Sequence, residues 1–91
     1  MKNIGKKMKS YYDSQGRLSQ YPTKQPMRII ALQKIAGCFS YNMKYTEKKV
    51  NEIIRENISF SDVELIRREL FQHRFIGRLK DGSEYWREKD S

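Results

Sequence analysis

Phe75-Ile76-Gly77-Arg78-Leu79-Lys80-Asp81-Gly82-Ser83-Glu84-Tyr85-Trp86-Arg87 is the most informative stretch of the chain. Two runs rich in aromatic and branched residues flank Asp81-Gly82, a pair that tolerates positive φ and closes a two-residue β-hairpin turn. That register pairs Lys80 with Ser83, Arg78 with Tyr85 and Gly77 with Trp86. It collects Phe75, Leu79 and Trp86 on an inner face, with the indole lying across the bare Gly77. Ile76, Arg78, Lys80, Tyr85 and Arg87 fall on the outer face, which is basic and carries Tyr85 as its exposed aromatic.

The residues before the hairpin read as helices. Ser61-Asp62-Val63-Glu64 has the form of a capping box, with Ser61 as the cap and a Glu three residues on. It opens a third helix from Asp62 to about His73. Val63, Ile66 and Leu70 recur at helical spacing on one side; Glu64, Arg68 and Gln72 fall opposite, with Leu65 and Glu69 nearby. Arg67 and Phe71 lie at the boundary, and Arg67 is expected to pair with Glu47 or Glu84. Further upstream, Thr46 caps a second helix, Glu47 to about Asn57, with Val50, Ile53 and Ile54 as its buried stripe. Phe39, Tyr41, Met43 and Tyr45 alternate, which predicts extended chain with one short strand. A first helix starts near Thr23 or Lys24, carries Pro26 in its first turn and stops at Gly37. Ile29, Leu32, Ile35 and Ala36 share its broad apolar face.

The chain holds 91 residues with a net charge of +8. A protein of this size buries only about 60–65% of its unfolded surface, enough for one small core. The expected organisation is a flexible basic lead over residues 1–10, one domain over residues 11–88 and a short tail over residues 89–91. Within the domain, Tyr11 to Leu18 reads as a small hairpin or an extended arm laid on the core. Residues 1–28 hold seven basic side chains and one acid, whereas the rest is nearly balanced. No apolar run approaches the ~18–20 residues of a membrane span. The basic start leads into Ser10-Tyr11-Tyr12-Asp13 rather than an apolar run, so a secretory signal is not expected and the cytoplasm is the default location.

One Cys and one His provide neither a disulfide framework nor a His/Cys metal cluster. Cys38 reads as a packing residue and His73 as a structural histidine. No nucleophile with a matched base, metal set or phosphate loop is apparent, so neither catalysis nor a cofactor is expected.

The predicted architecture is α+β and winged-helix-like: three helices, a short strand and a C-terminal β-hairpin wing. In that order the second and third helices form a helix-turn-helix, with the third able to enter a major groove while the wing contacts the backbone. Arg68 and Gln72 are suited to base edges. Lys24, Arg28, Arg78, Lys80 and Arg87 are candidate phosphate contacts, with Tyr85 beside them. Glu64 and Glu69 argue the other way, since carboxylates repel phosphate. The functional expectation is therefore a small protein that binds double-stranded DNA, a transcription regulator or accessory factor. The alternative is a protein-interaction or dimerisation module of a regulatory complex without DNA contact. A homodimer or a regulatory protein partner fits either.

The chain also resembles a bacterial family, the domain of unknown function 2087, over roughly residues 11–88. The resemblance rests on Asp13-Ser14-Gln15-Gly16-Arg17-Leu18, Tyr21-Pro22-Thr23-Lys24, Tyr45-Thr46-Glu47 with Val50-Asn51, Ile66-Arg67-Arg68-Glu69-Leu70, and both runs of the hairpin. Members look like stand-alone small proteins or tails of helix-turn-helix regulators. The resemblance implies a link to transcription but no catalytic or ligand residue. The chain departs from the family pattern at Lys49, where an acidic residue is expected, and at Arg74, where Gly is common.

Overall fold

A computed structural model of the chain describes residues 8–89. Its elements follow the order α1 (Gln25–Ala36), α2 (Glu47–Asn57), α3 (Val63–Gln72), β1 (Ile76–Arg78) and β2 (Tyr85–Arg87). The fold is α+β, with three helices and a two-stranded antiparallel hairpin in winged-helix order. Most of the expected lead lies outside the described residues. Its end does not: Met8 is buried and belongs to the core. Of the expected tail, Lys89 alone is described.

Each helix boundary has a local cause. Pro26 sits in the first turn of α1, where its missing N–H costs nothing. Thr46 Oγ1 accepts the Lys49 amide at 3.1 Å and opens α2. The cap of α3 is Asp62 rather than Ser61: Asp62 Oδ1 accepts the Leu65 amide at 3.1 Å. A carboxylate is a strong acceptor there and also opposes the positive helix end. At the far end, Phe75 N donates to Leu70 O at 2.9 Å and Arg74 N to Phe71 O at 3.1 Å. This is a Schellman closure, and Arg74 occupies its left-handed position with φ +66°. A left-handed position of this kind is one that glycine fills without strain.

Leu32 and Ala31 of α1, Val50 and Ile54 of α2, and Ile66 and Leu70 of α3 are fully buried together. Ile29, expected inside, is only half-buried, because the inner stripe of α1 runs through Met27, Ala31, Leu32, Ile35 and Ala36. The N-terminal arm closes this core as a tight hairpin. Asp13 Oδ1 accepts the amides of Gln15 and Arg17, each at 2.9 Å, and Gly16 takes φ +79°. Leu18, with no exposed surface, bridges Tyr12 on one side and Ile58 on the other.

The stretch between α1 and α2 is mostly turn, not strand. Its extended part reduces to Tyr45, which pairs with Tyr85 through two main-chain bonds of 2.8 Å. Phe39 packs edge-on against the Tyr45 ring at 5.2 Å. Tyr41 and Met43 remain exposed. Cys38 is exposed rather than packed.

The hairpin register is Ile76 to Arg87, Gly77 to Trp86 and Arg78 to Tyr85. Its turn is wider than two residues. Leu79 N bonds Glu84 O at 3.0 Å, and Gly82 N bonds Leu79 O at 2.9 Å, so residues 80–83 form the loop. Gly82 takes φ +74°, but Asp81 does not adopt a positive φ. Instead Asp81 Oδ1 accepts the Ser83 amide and hydroxyl at 3.0 and 2.7 Å, and the expected Lys80–Ser83 pair gives way to this local turn.

The faces of the hairpin are the reverse of the expected ones. Ile76 and Tyr85 point into the core at 1% and 3% exposure, while Leu79 is 44% exposed. The indole of Trp86 does lie across Gly77, but on the outer side. A Cβ built on Gly77 would stand 2.5 Å from Trp86 Nε1. The outer face thus covers itself, with ring on glycine. The inner face buries Tyr85 because Tyr45 and Glu47 satisfy its polar groups.

Candidate nucleic-acid interface

α3 and the hairpin stand side by side. Between them lies a groove of about 290 Å³, lined by Glu47, Glu64, Arg67, Arg68, Phe71, Arg78 and Tyr85. The groove is built from the start of α2, the outward half of α3 and the inner face of the hairpin. Arg78 comes from the end of β1, and its guanidinium lies 5.0 Å over the Phe71 ring. Stacking fixes the plane of the cation without consuming its hydrogen-bond donors. Arg78 Nη1 is further steadied by Lys80 O at 3.2 Å. Arg68 is exposed, and among the described residues its side chain has no hydrogen bond or ion pair. The same holds for Gln72 at the end of α3 and Lys80 in the wing loop.

The base of the groove is a polar network. Arg67 donates to Asn51 Oδ1 at 2.6 Å and stands 3.9 and 3.8 Å from the carboxylates of Glu47 and Glu64. Glu84, the other expected partner of Arg67, pairs with Lys44 instead. Glu47 also accepts the Tyr85 hydroxyl at 3.0 Å. One acidic side chain of α2 therefore ties together the wing and α3. Burial, then the bond to Glu47, pushes the Tyr85 phenol above its usual range.

The remaining sequence candidates are engaged in holding the fold together or lie off the groove lining. Tyr85 is buried and holds the wing in place, so it is not an exposed contact. Arg87 donates to Phe39 O at 3.1 Å and lies 4.0 Å over the Tyr41 ring, which anchors the connection between α1 and α2. Arg28 donates from Nε to Pro22 O at 2.7 Å and covers the Tyr21 ring. Tyr21 in turn donates to Glu69 Oε1 at 2.7 Å, joining the start of α1 to α3. Lys24, just before α1, is exposed. His73 lies 3.7 Å from Glu69 on the same helix. Of the sequence candidates, Arg68 and Arg78 thus line the groove beside Arg67, Lys80 follows in the wing loop, and Lys24 and Arg28 are not among the lining residues.

Sequence reasoning missed Phe71 as the platform for Arg78 and Glu47 as the partner of Tyr85. Phe71 had a visible signal, since it falls at the edge of the apolar stripe of α3. The bond between Glu47 and Tyr85 spans 38 positions and has no local signature.

A family model described as an uncharacterized protein conserved in bacteria (DUF2087) matches residues 17–87. The chain belongs to this family. The match runs from the closing residues of the N-terminal hairpin to the end of β2, so it includes every residue of the groove. Neither the comparison with curated proteins nor the one with solved structures gives a match. Among the described residues, no helix is long and apolar enough to cross a membrane.

Proposed function

We propose that this family member is a small DNA-binding protein, a transcription regulator or accessory factor of the bacterial cytoplasm without catalytic activity. The observation that carries the reading is the placement of Arg68 and Arg78 around one groove, with Gln72 and Lys80 uncommitted beside it. Arg68 and Gln72 would face base edges, and Arg78 and Lys80 the phosphates. Tyr85 and Arg87 drop out of the contact set. Lys24 and Arg28 would reach only a more distant part of the backbone.

The acidic start of α3 favours a second reading. Glu64 is 74% exposed in its side chain and follows the Asp62 cap, at the end of the helix that normally meets the bases. Carboxylates there suit a protein partner better than a phosphate backbone, so an interaction module is the alternative.

Duplex binding followed by fluorescence anisotropy across a salt series separates the two. The DNA reading predicts binding at ~50 mM salt with a steep salt slope, and the slope falls by about 2 on Arg78→Ala plus Lys80→Ala. No binding at low salt, or a slope indifferent to both substitutions, supports the interaction module.

A further inference from the structure

We propose that the outer edge of β2 is a docking site for an extended acidic segment of a partner protein, which adds as a strand beside Arg87. The main-chain bonds of β2 alternate between its two edges. Glu84 and Glu88 bond toward β1, through Leu79 N at 3.0 Å and Phe75 O at 3.0 Å. Tyr85 and Arg87 therefore face the other edge. Tyr45 occupies the Tyr85 position through both of its bonds. The Arg87 amide and carbonyl have no partner among the described residues.

The chain could have continued this pairing, since Met43 would come next opposite Arg87. It turns away instead, with Asn42 at φ +61°. Between the departing chain and β2 lies a cleft of about 510 Å³. Met43 and Trp86 supply its apolar surface, and Met43 is 49% exposed. Lys44, Arg87 and Lys89 line it against Glu88, and Lys44 also stands 3.5 Å from Glu84 at its margin. An open strand edge gives main-chain affinity, and an adjoining apolar cleft selects alternate side chains. Here the cationic lining adds a preference for carboxylates on the incoming strand.

Charge also decides between occupants. A second copy pairing antiparallel through this edge would set Arg87 against the Arg87 or the Lys89 of the other copy, which like-charge repulsion opposes. Residues 1–7 contain Lys2, Lys6 and Lys7 and no acid, so they are mismatched as well. A foreign segment alternating apolar and acidic residues fits. The site lies on the outer side of the hairpin, so the inference stands apart from any DNA contact in the groove.

The probe is a library of short random peptides displayed against the full chain. Recovered binders should carry net negative charge with alternating apolar residues. Their affinity should fall about tenfold or more on Lys44→Glu plus Lys89→Glu. Both lysines are exposed, so folding should survive, as circular dichroism would verify. In the complex, hydrogen exchange at the Arg87 amide should slow by about tenfold or more. Failure to recover binders, recovery without acidic enrichment, or an Arg87 amide that exchanges unchanged would each overturn the proposal. So would self-association through this edge in light scattering.

Discussion

Arg74 takes φ +66° directly after α3, in a conformation that an L side chain adopts at a cost of about 1–2 kcal/mol. Arg74→Gly should therefore stabilise the fold by about 1 kcal/mol, somewhat offset by greater freedom in the unfolded chain. Urea denaturation measures it, and a loss of stability would contradict the strain argument. Gly77 is the opposite case. A methyl there would meet Trp86 Nε1 and Glu88 Oε2 at 2.5 Å, so the indole must lift. Gly77→Ala should cost about 1–3 kcal/mol and shift the emission of the single Trp86. The departure at Arg74 was legible in the sequence as a missing glycine. The exposure of Cys38 was not, because nothing in the residues around it distinguishes the outside of a turn from the inside.

Among the elements, the helices were the most legible, since apolar spacing and caps are local. The capping box illustrates the limit. Ser61-Asp62-Val63-Glu64 offers two acceptors, and pattern alone favours the first. The backbone chooses Asp62, which reaches the Leu65 amide. Asp62→Ala should cost about 1 kcal/mol, and Ser61→Ala only a few tenths, in thermal unfolding. Equal losses would contradict the assignment. The hairpin register was readable from Arg78 and Gly77 to their partners, but its facing was not. Three apolar residues outvoted Ile76 and Tyr85 in the pattern, yet Tyr45 and Glu47, distant in sequence, reserve the inside for Tyr85. Consequently Tyr85→Phe should leave the core filled but orphan one bond of Glu47. A loss of about 1 kcal/mol is expected in urea denaturation, and no loss would contradict the role given to this bond.

For the molecule as a whole, alkaline pH is a direct probe of packing. The phenols of Tyr12, Tyr21 and Tyr85 are all raised above their usual range, first by burial. A raised folded pKa means the protonated phenol is favoured by folding. Its stabilisation is complete below about pH 10, the unfolded value, and is lost as pH climbs through the folded values. Stability should thus be flat toward pH 10 and fall above it, and Tyr21→Phe should make the fall shallower. A pH profile of the denaturation midpoint with no alkaline drop would contradict this.

The whole surface also carries the functional claim. The positive excess of the first 28 residues was plain in the sequence. Which cations line the groove was not, because the carbonyls and rings that hold Arg28 and Arg87 at other places, and Arg78 at the groove, are brought near only by the fold. The proposed contacts are Arg68 and Arg78, which line the groove, with Gln72 at the end of α3 and Lys80 in the wing loop. Titrating the isotope-labelled chain with a short DNA duplex and following its amide and guanidinium NMR signals tests the set most directly. The account predicts that Arg68, Gln72, Arg78 and Lys80 shift together, while Trp86 and Lys89 on the outer side of the hairpin stay still. Shifts confined to Trp86 and Lys89, or no shift at low salt, would contradict it.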